Sequence, residues 1–314
     1  MGKNKVLIIK TGYSEVLDER GNSRKVSLGD ILRTTCLLHL YKKDRVTWVT
    51  DQYAFPLLEE NQFIENLLPY DFTTALQLKY EEFDTVINLE KVPGICALAD
   101  QIHAWKKYGF RFNRREGYAE AYDKAFDVLA VSSDPILKKE NKKTAQELLF
   151  EMVGSKWNGE EYILGYKPKT KENYDIGLNT IIGQKWPTKA WPKEKWDKLE
   201  GELVNGGYSV TRQDKQSKEI LEDLNKYIEW INSSNTIVST DSLGLHLGIV
   251  LKKKVIGLFG PTPSSEVYFY GRGRALLPLP TPSCLPCFNG QCEKDKRCIE
   301  NISAENVCNE IRSS

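Results

Sequence analysis

The sequence lacks an excess of charge of either sign. Its 44 Lys and Arg stand against 43 Asp and Glu, a formal net charge of +1. A general nucleic-acid binder or a polybasic membrane binder needs a large surplus of positive charge to hold phosphates, so both classes are excluded. Long apolar runs are also missing. After Lys5 only Val6-Leu7-Ile8-Ile9 precedes Lys10, too short for a signal-peptide core, and no stretch approaches the roughly eighteen apolar residues of a membrane span. Position 6 is Val, which excludes a myristoylation signal at Gly2. A cytoplasmic location is expected, with at most peripheral contact at the inner face of the cytoplasmic membrane and with reduced thiols. The Lys/Arg cluster at 106–115 is the candidate for such contact.

The chain has 314 residues, 40% of them apolar and 28% charged, which is ordinary for a folded protein and too apolar for a disordered one. At about 150 residues per domain, two domains are expected. Residues 5–10 form an apolar, β-branched run ending at Thr11-Gly12 and read as a buried strand. A polar loop follows, and Ser27-Leu28-Gly29-Asp30 opens a helix with Ile31, Leu32, Cys36, Leu37 and Leu40 on its apolar face. Residues 45–50 and 85–89 read as strands, 93–107 and 144–153 as helices, and 113–139 follow no clear period. The polar link at 165–173 contains Pro168 and marks a boundary between domains 1–165 and 166–314. The rhythm then restarts: strands at 174–179, 208–211, 236–239 and 254–259 alternate with helices at 192–203, 218–231 and 243–251. Two α/β units, Rossmann-like and doubly wound, are expected to face one another across a cleft holding the active site.

Three stretches carry chemistry. Asp241 ends an apolar strand, and Ser242, Leu243 and Gly244 open the next helix, whose backbone N–H groups and dipole favour an anion. Gly244 leaves room for a phosphate beside the backbone, His246 lies in the first turn or so, and Gly260-Pro261-Thr262 ends the next strand at the same sheet edge. The second stretch is the loop Gln184-Lys185-Trp186-Pro187-Thr188-Lys189-Ala190-Trp191-Pro192. Two lysines and the Thr188 hydroxyl above a strand end suit a diphosphate, whereas Trp191 and Trp196 are expected in the core. The third is Gly29-Asp30 at the mouth of the first sheet, where a carboxylate either caps a helix or serves as general base on an acceptor hydroxyl.

These stretches together resemble the ADP-heptose lipopolysaccharide heptosyltransferase family, glycosyltransferase family nine. The residues that carry the resemblance are Gly29-Asp30, Gly183 with Lys189-Ala190-Trp191-Pro192, the run from Asp241 to His246, and the Leu-Phe-Gly-Pro-Thr run at 258–262. Phe83-Asp84-Thr85-Val86-Ile87-Asn88-Leu89 also looks like a family strand. The resemblance implies a GT-B fold with the acceptor in the N-terminal half and the nucleotide sugar in the C-terminal half. It implies inverting transfer of heptose from ADP-heptose or a close nucleotide sugar to a cell-envelope glycolipid or glycan, with no catalytic metal. By carry-over Asp30 is the base and Lys189 stabilises the departing diphosphate. Gln184, Lys185, Thr188, Asp241, Ser242, Leu243, Gly244 and His246 hold the donor, and Gln213 or Asp214 stands where many relatives have an acidic residue for the ribose. Leu243 occupies the place of the family's glycine, and Gly244 falls one position later. A protein-directed transferase, another nucleotide sugar, or a non-catalytic nucleotide-sugar binder are the alternative readings.

Of seven cysteines, Cys284, Cys287, Cys292 and Cys298 fall in one C-x2-C-x4-C-x5-C segment. Four thiolates this close can satisfy a structural zinc or iron; free or disulfide-paired thiols in an ordinary loop are the alternative. Cys36, Cys96 and Cys308 lie on apolar helical patterns and are expected in the core.

Overall fold

The computed structural model describes residues 3–13, 26–183 and 186–313. The chain divides into two compact units, Met1–Lys167 and Pro168–Ser314. The first contains β1 (Lys5–Ile9), α1 (Leu28–Thr34), β2 (Arg45–Thr50), β3 (Asn66–Pro69), α2 (Phe72–Leu78), β4 (Glu82–Asn88), α3 (Pro93–Gln101), β5 (His103–Phe112), β6 (Ala119–Ala121), α4 (Phe126–Ser133), α5 (Pro135–Glu140) and α6 (Ala145–Met152). Its sheet runs β3-β2-β1-β4-β5-β6, parallel except where β6 pairs antiparallel with β5. The second unit contains β7 (Tyr174–Asn179), α7 (Lys193–Asn205), β8 (Val210–Arg212), α8 (Lys218–Glu222), α9 (Leu224–Asn232), β9 (Ser234–Thr240), α10 (Leu243–Val250), β10 (Lys254–Leu258), β11 (Gly273–Leu276) and α11 (Ala304–Ser313). Its five strands run β11-β10-β9-β7-β8, all parallel.

Both sheets are doubly wound. Strand order reverses between β1 and β4 in the first unit and between β7 and β9 in the second. At such a switch point the crossovers leave to opposite faces and open a crevice beyond the strand C-termini, where ligands bind in open α/β sheets. The fold thus singles out the residues following β1, β4, β7 and β9.

The apolar runs read as strands are buried on both faces, as parallel sheets under helices require. Leu7, Ile9, Val49, Phe83 and Val86 pack with Ile95, Leu98 and Ala99 of α3. In the second unit Ile176, Leu178, Val238, Ile256 and Leu258 pack with Trp191, Trp196, Leu199 and the α11 residues Val307, Cys308 and Ile311. Trp191 and Trp196 meet edge to face with centroids 4.7 Å apart. Cys36, Cys96 and Cys308 are buried.

Three sequence expectations change. The helix expected at 93–107 stops at Gln101, and His103–Phe112 is a strand beside β4. Without β5, the outer ladder groups of β4 would lose their partners, and that outweighs the helical pattern carried on past Ile102. A Cβ at Gly109 (φ +87°) would lie 1.9 Å from the Asn88 carbonyl oxygen, so the strand bends there only with glycine. The helix expected at 218–231 is broken in two, because the Asp223 carboxylate accepts from the Lys226 N–H and starts α9 afresh. In the unassigned 113–139 stretch lie β6, α4 and α5, and neither helix buries a residue. Among the described residues no helix is long and apolar enough to cross a membrane.

Candidate functional site

In the first unit the switch point holds a buried cluster of charge. Lys10 directly follows β1, and its ammonium lies 2.6 Å from Asp30 Oδ2 and 3.3 Å from Glu90 Oε1. Asp30 sits in the first turn of α1, where its other oxygen takes Arg33 from one turn on, at 2.6 Å to NH2 and 2.8 Å to Nε. Glu90, fully buried just beyond β4, also accepts the Gly12 N–H at 2.6 Å. Two cations and two carboxylates compensate one another, which such burial requires. Burial alone would raise the Asp30 carboxyl, but Lys10 and Arg33 outweigh it and hold the group well below the usual carboxylate range. The cluster therefore favours the ionised form of Asp30. Ser27 precedes the helix but makes no side-chain cap.

The sequence pointed to Asp30 and left Arg33 and Glu90 unnoticed. A signal for Glu90 exists: a carboxylate two residues past a buried strand end is costly unless paired. Its partner Lys10 stands at the same end of the neighbouring strand.

In the second unit the centre is Asp241, at the end of β9. Its Oδ2 accepts from Lys189 Nζ at 2.6 Å and from the Thr262 hydroxyl at 2.7 Å, and His246 Nε2 lies 4.0 Å from Oδ1. Residues 52 and 21 positions away in sequence thus meet on one carboxylate. Burial would raise the Asp241 carboxyl, but Lys189, His246 and the Thr262 hydroxyl together hold it well below the ordinary range. Lys189 closes a short turn (Pro187–Lys189) and also lies 5.4 Å from the centre of the Trp186 ring.

The space beside Gly244 is closely packed. A Cβ there would lie 2.5 Å from Asn179 Cγ and Nδ2 and 2.6 Å from the Tyr227 hydroxyl. Asn179, the last residue of β7, donates to Ser239 Oγ at 2.9 Å and Ser242 Oγ at 3.0 Å and accepts from Tyr227 at 2.5 Å. The space beside Gly244 is thus filled by a buried polar network that ties β7, β9 and α9 to the start of α10. Asn179 and Tyr227 are site residues the sequence reading missed, although the strand-ending Asn179 belongs to the switch point by topology. Leu243 is the first residue of α10, and Ser242, its N-cap, spends its hydroxyl on Asn179 and Ser239.

Other expected donor residues are engaged within the protein. The buried Thr188 hydroxyl donates to the Asn289 carbonyl at 2.7 Å. Gln213 is buried and accepts the Ile181 N–H at 2.8 Å. Gln184 and Lys185 lie outside the described residues.

The cysteine segment borders this site. Arg297 NH1 donates to the Pro187 carbonyl at 3.1 Å and the Phe288 N–H to the Pro261 carbonyl at 2.9 Å. With the Thr188–Asn289 bond, these contacts reach the chain beside Lys189 and beside Thr262, both partners of Asp241. Cys284, Cys287 and Cys298 are half-buried, Cys292 is exposed, and none of the four is in a disulfide. Burial pushes the Cys298 thiol up, and Cys287, Cys284 and Cys292 add to the effect, so the four lie within electrostatic reach. Among the described residues no group of three or more His, Cys, Asp or Glu is arranged to hold a metal ion.

The sequence profile of glycosyltransferase family 9 (heptosyltransferase) matches residues 73–230 and 222–297. Lipooligosaccharide heptosyltransferase 2 of Campylobacter jejuni (serotype O:6) is 26% identical over 121 residues, 37% of this chain and 38% of that protein. The aligned part thus spans well under half the length of that relative. The structure of E. coli heptosyltransferase WaaC with ADP-2-deoxy-2-fluoro heptose is similar over 98% of this chain and 99% of that one, at 17% identity and a TM-score of 0.62. The iron-containing dodecameric glycosyltransferase TibC from enterotoxigenic E. coli H10407 is similar over 99% of this chain and 75% of that one, at 11% identity and a TM-score of 0.60. At these identities the structural likeness establishes the fold. The profile covers most of the chain, and with the two doubly wound units and charged residues at both switch points it places the protein plainly: it belongs to glycosyltransferase family 9, the heptosyltransferase family.

Proposed function

We propose that the protein is an inverting glycosyltransferase that moves heptose from ADP-heptose to a hydroxyl of a cell-envelope glycan. The observation that carries this reading is the meeting of Lys189, Thr262 and His246 on Asp241 at the second switch point. Such a point binds nucleotides in sheets of this winding. The Asp241 carboxylate fixes the Lys189 ammonium and leaves its remaining protons for a phosphate oxygen. Backbone N–H groups at Leu243 and Gly244 sit at the positive end of α10.

In transfer, the acceptor oxygen bonds to the sugar anomeric carbon while the bond from that carbon to the diphosphate breaks. The electron pair leaves with ADP, and Lys189 stabilises the charge that develops there, a role other transferases give to a divalent cation. The acceptor proton passes to Asp30. A carboxylate held low by Lys10 and Arg33 is a weak base towards a resting hydroxyl. It suffices because the hydroxyl proton becomes acidic as the new bond to an oxocarbenium-like carbon forms. The first unit accordingly takes the acceptor and the second the donor. By sequence Gln184 and Lys185 are assigned to the donor together with Lys189; Gln213 holds the backbone just past β7, and Thr188 holds the cysteine segment at Asn289.

The four cysteines suit a structural zinc or iron by donor chemistry, since thiolates are the ligands both metals accept without other partners. A metal held by Cys284, Cys287, Cys292 and Cys298 would cross-link the segment that buttresses Lys189 and Thr262. TibC is likewise described as iron-containing.

The test is turnover with ADP-heptose by the full chain and by Asp30→Asn. Loss of about 100-fold or more in kcat with ADP affinity unchanged is the expected result for removal of a general base. Wild-type turnover by the variant refutes the role of Asp30. Stabilisation by UDP-sugars and not by ADP-sugars refutes the donor.

A further inference from the structure

One strand end in the second unit bears a carboxylate that the transfer scheme does not use. β8 lies beside β7 and parallel to it, with Arg212 opposite Leu178, so the residues after β8 share the edge that carries Asn179 and Asp241. In Rossmann-type units the phosphates sit beyond the first strand, and an acidic side chain past the second takes the ribose hydroxyls. Here β7 and β8 fill those places, and Asp214 is the first carboxylate past β8. Its neighbour Gln213 accepts the Ile181 N–H at 2.8 Å, which holds this turn against the chain leaving β7.

Asp214 already has a partner. Arg212 grips it with two parallel bonds, from Nε to Oδ1 at 2.6 Å and from one terminal nitrogen to Oδ2 at 3.0 Å. The other terminal nitrogen donates to Asp197 at 2.6 Å and to Glu200 at 3.1 Å, both on α7. The Arg212 side chain is 1% exposed and that of Asp214 32%, so the guanidinium is fixed inside and the carboxylate stands at the rim. Lys193 and Lys215 balance the remaining acidic charge on Asp197 and Glu200.

The geometry of the grip limits what Asp214 can still accept. The two neighbouring hydroxyls of a ribose donate side by side to a free carboxylate, in the same arrangement as a guanidinium fork. That face of Asp214 is filled. Each oxygen keeps acceptor capacity on the side away from Arg212, and those two positions diverge. One ribose reaches only one of them. Drawing Asp214 off to use the filled face would leave donors of a buried guanidinium without acceptors, which is costly.

We propose that Arg212 is a specificity-determining residue of the donor site: by occupying the paired face of Asp214, it makes the site read one ribose hydroxyl and ignore the other. Arg212 acts through Asp214 and is a positioning residue. The inference rests on the reading of the second unit as the nucleotide-sugar site and narrows what that site demands of the sugar in the nucleotide.

The experiment is calorimetric titration of the full chain with ADP, 2′-deoxy-ADP and 3′-deoxy-ADP. For the wild type, one analogue is expected to bind as tightly as ADP and the other roughly 10- to 100-fold more weakly, the size of one hydrogen bond to a charged group. Asp214→Ala, which leaves Arg212 its two partners on α7, should bring all three ligands to the affinity of the weaker analogue. Arg212→Met frees Asp214 for both hydroxyls, so both analogues should then bind more weakly than ADP. A merely structural Arg212 would change all three affinities alike. Weakening of the wild type by loss of either hydroxyl, or by loss of neither, overturns the proposal. So does discrimination that survives in Asp214→Ala, or a folded Arg212→Met with the wild-type pattern. Where Arg212→Met does not fold, the wild type and Asp214→Ala decide. If UDP binds and ADP does not, the ADP donor falls, and the same comparison with the deoxy forms of UDP decides the role of Arg212. Binding of no nucleoside diphosphate overturns both.

Discussion

Replacing Gly244 by Ala separates packing from ligand approach at the start of α10. The added methyl would sit 2.5 Å from two atoms of Asn179 and 2.6 Å from the Tyr227 hydroxyl. Both side chains are buried and hydrogen-bonded to each other, so neither can swing into solvent. Overpacking of this kind costs about 1–3 kcal/mol. If Asn179 retreats, its bonds to Ser239, Ser242 and Tyr227 weaken, at about 1 kcal/mol each. Against this stands the intrinsic preference of a helix for Ala, about 1 kcal/mol. The net expectation is a loss of about 2 kcal/mol, read from the urea midpoint at unchanged slope. A double-mutant cycle sharpens the result. In an Asn179→Ala, Tyr227→Phe background the space opens, and Gly244→Ala should become neutral or stabilising. Full stability of the single variant, with a large loss of ADP affinity, would refute the packing account and return Gly244 to a phosphate.

Two further outcomes follow from the charge clusters and the cysteine segment. Asp30 and Asp241 both titrate below the ordinary carboxylate value of about 3.9, so their contribution to stability is fully present above about pH 4 and lost as pH falls through their native values. The urea midpoint should drop steeply below pH 4, and Asp30→Asn should flatten that drop; an equally steep fall in the variant contradicts the assignment. Arg297→Ala, which removes the donor to the Pro187 carbonyl, should speed hydrogen exchange at the Lys189 and Ala190 amides about tenfold, with β7 unaffected and Arg297→Lys partly restoring protection. No change in the Lys189 turn would show that the segment does not position it.

Much of the scaffold was legible in the sequence because parallel strands buried on two faces leave short apolar stretches, clearest in the Val-Leu-Ile-Ile run of β1 and the Val-Ile-Gly-Leu run of β10. The meeting of Lys189 and Asp241 was legible for a related reason: each follows a strand end, and parallel strands bring all such ends to one edge. What escaped is set by tertiary context. His103–Phe112 carries an exposed Trp105 and paired lysines, so only its place beside β4 makes it a strand. Arg33 and Glu90 belong to no local pattern and acquire meaning only once Lys10 and Asp30 are seen buried between them. Thr188 and Gln213 have the chemistry of ligands, yet the fold spends both on carbonyl and amide groups of its own backbone.

The central claim is that the Asp241–Lys189 cluster grips an adenosine diphosphate, and calorimetric titration of ADP against the full chain and Lys189→Met tests it most directly. Loss of one charge-assisted hydrogen bond to a phosphate, about 1.5–3 kcal/mol, corresponds to roughly a 10- to 100-fold weaker Kd. The account predicts saturable ADP binding to the wild type, that loss in the variant, and no displacement by UDP. Equal affinity in the two proteins, or displacement of ADP by UDP, would contradict it.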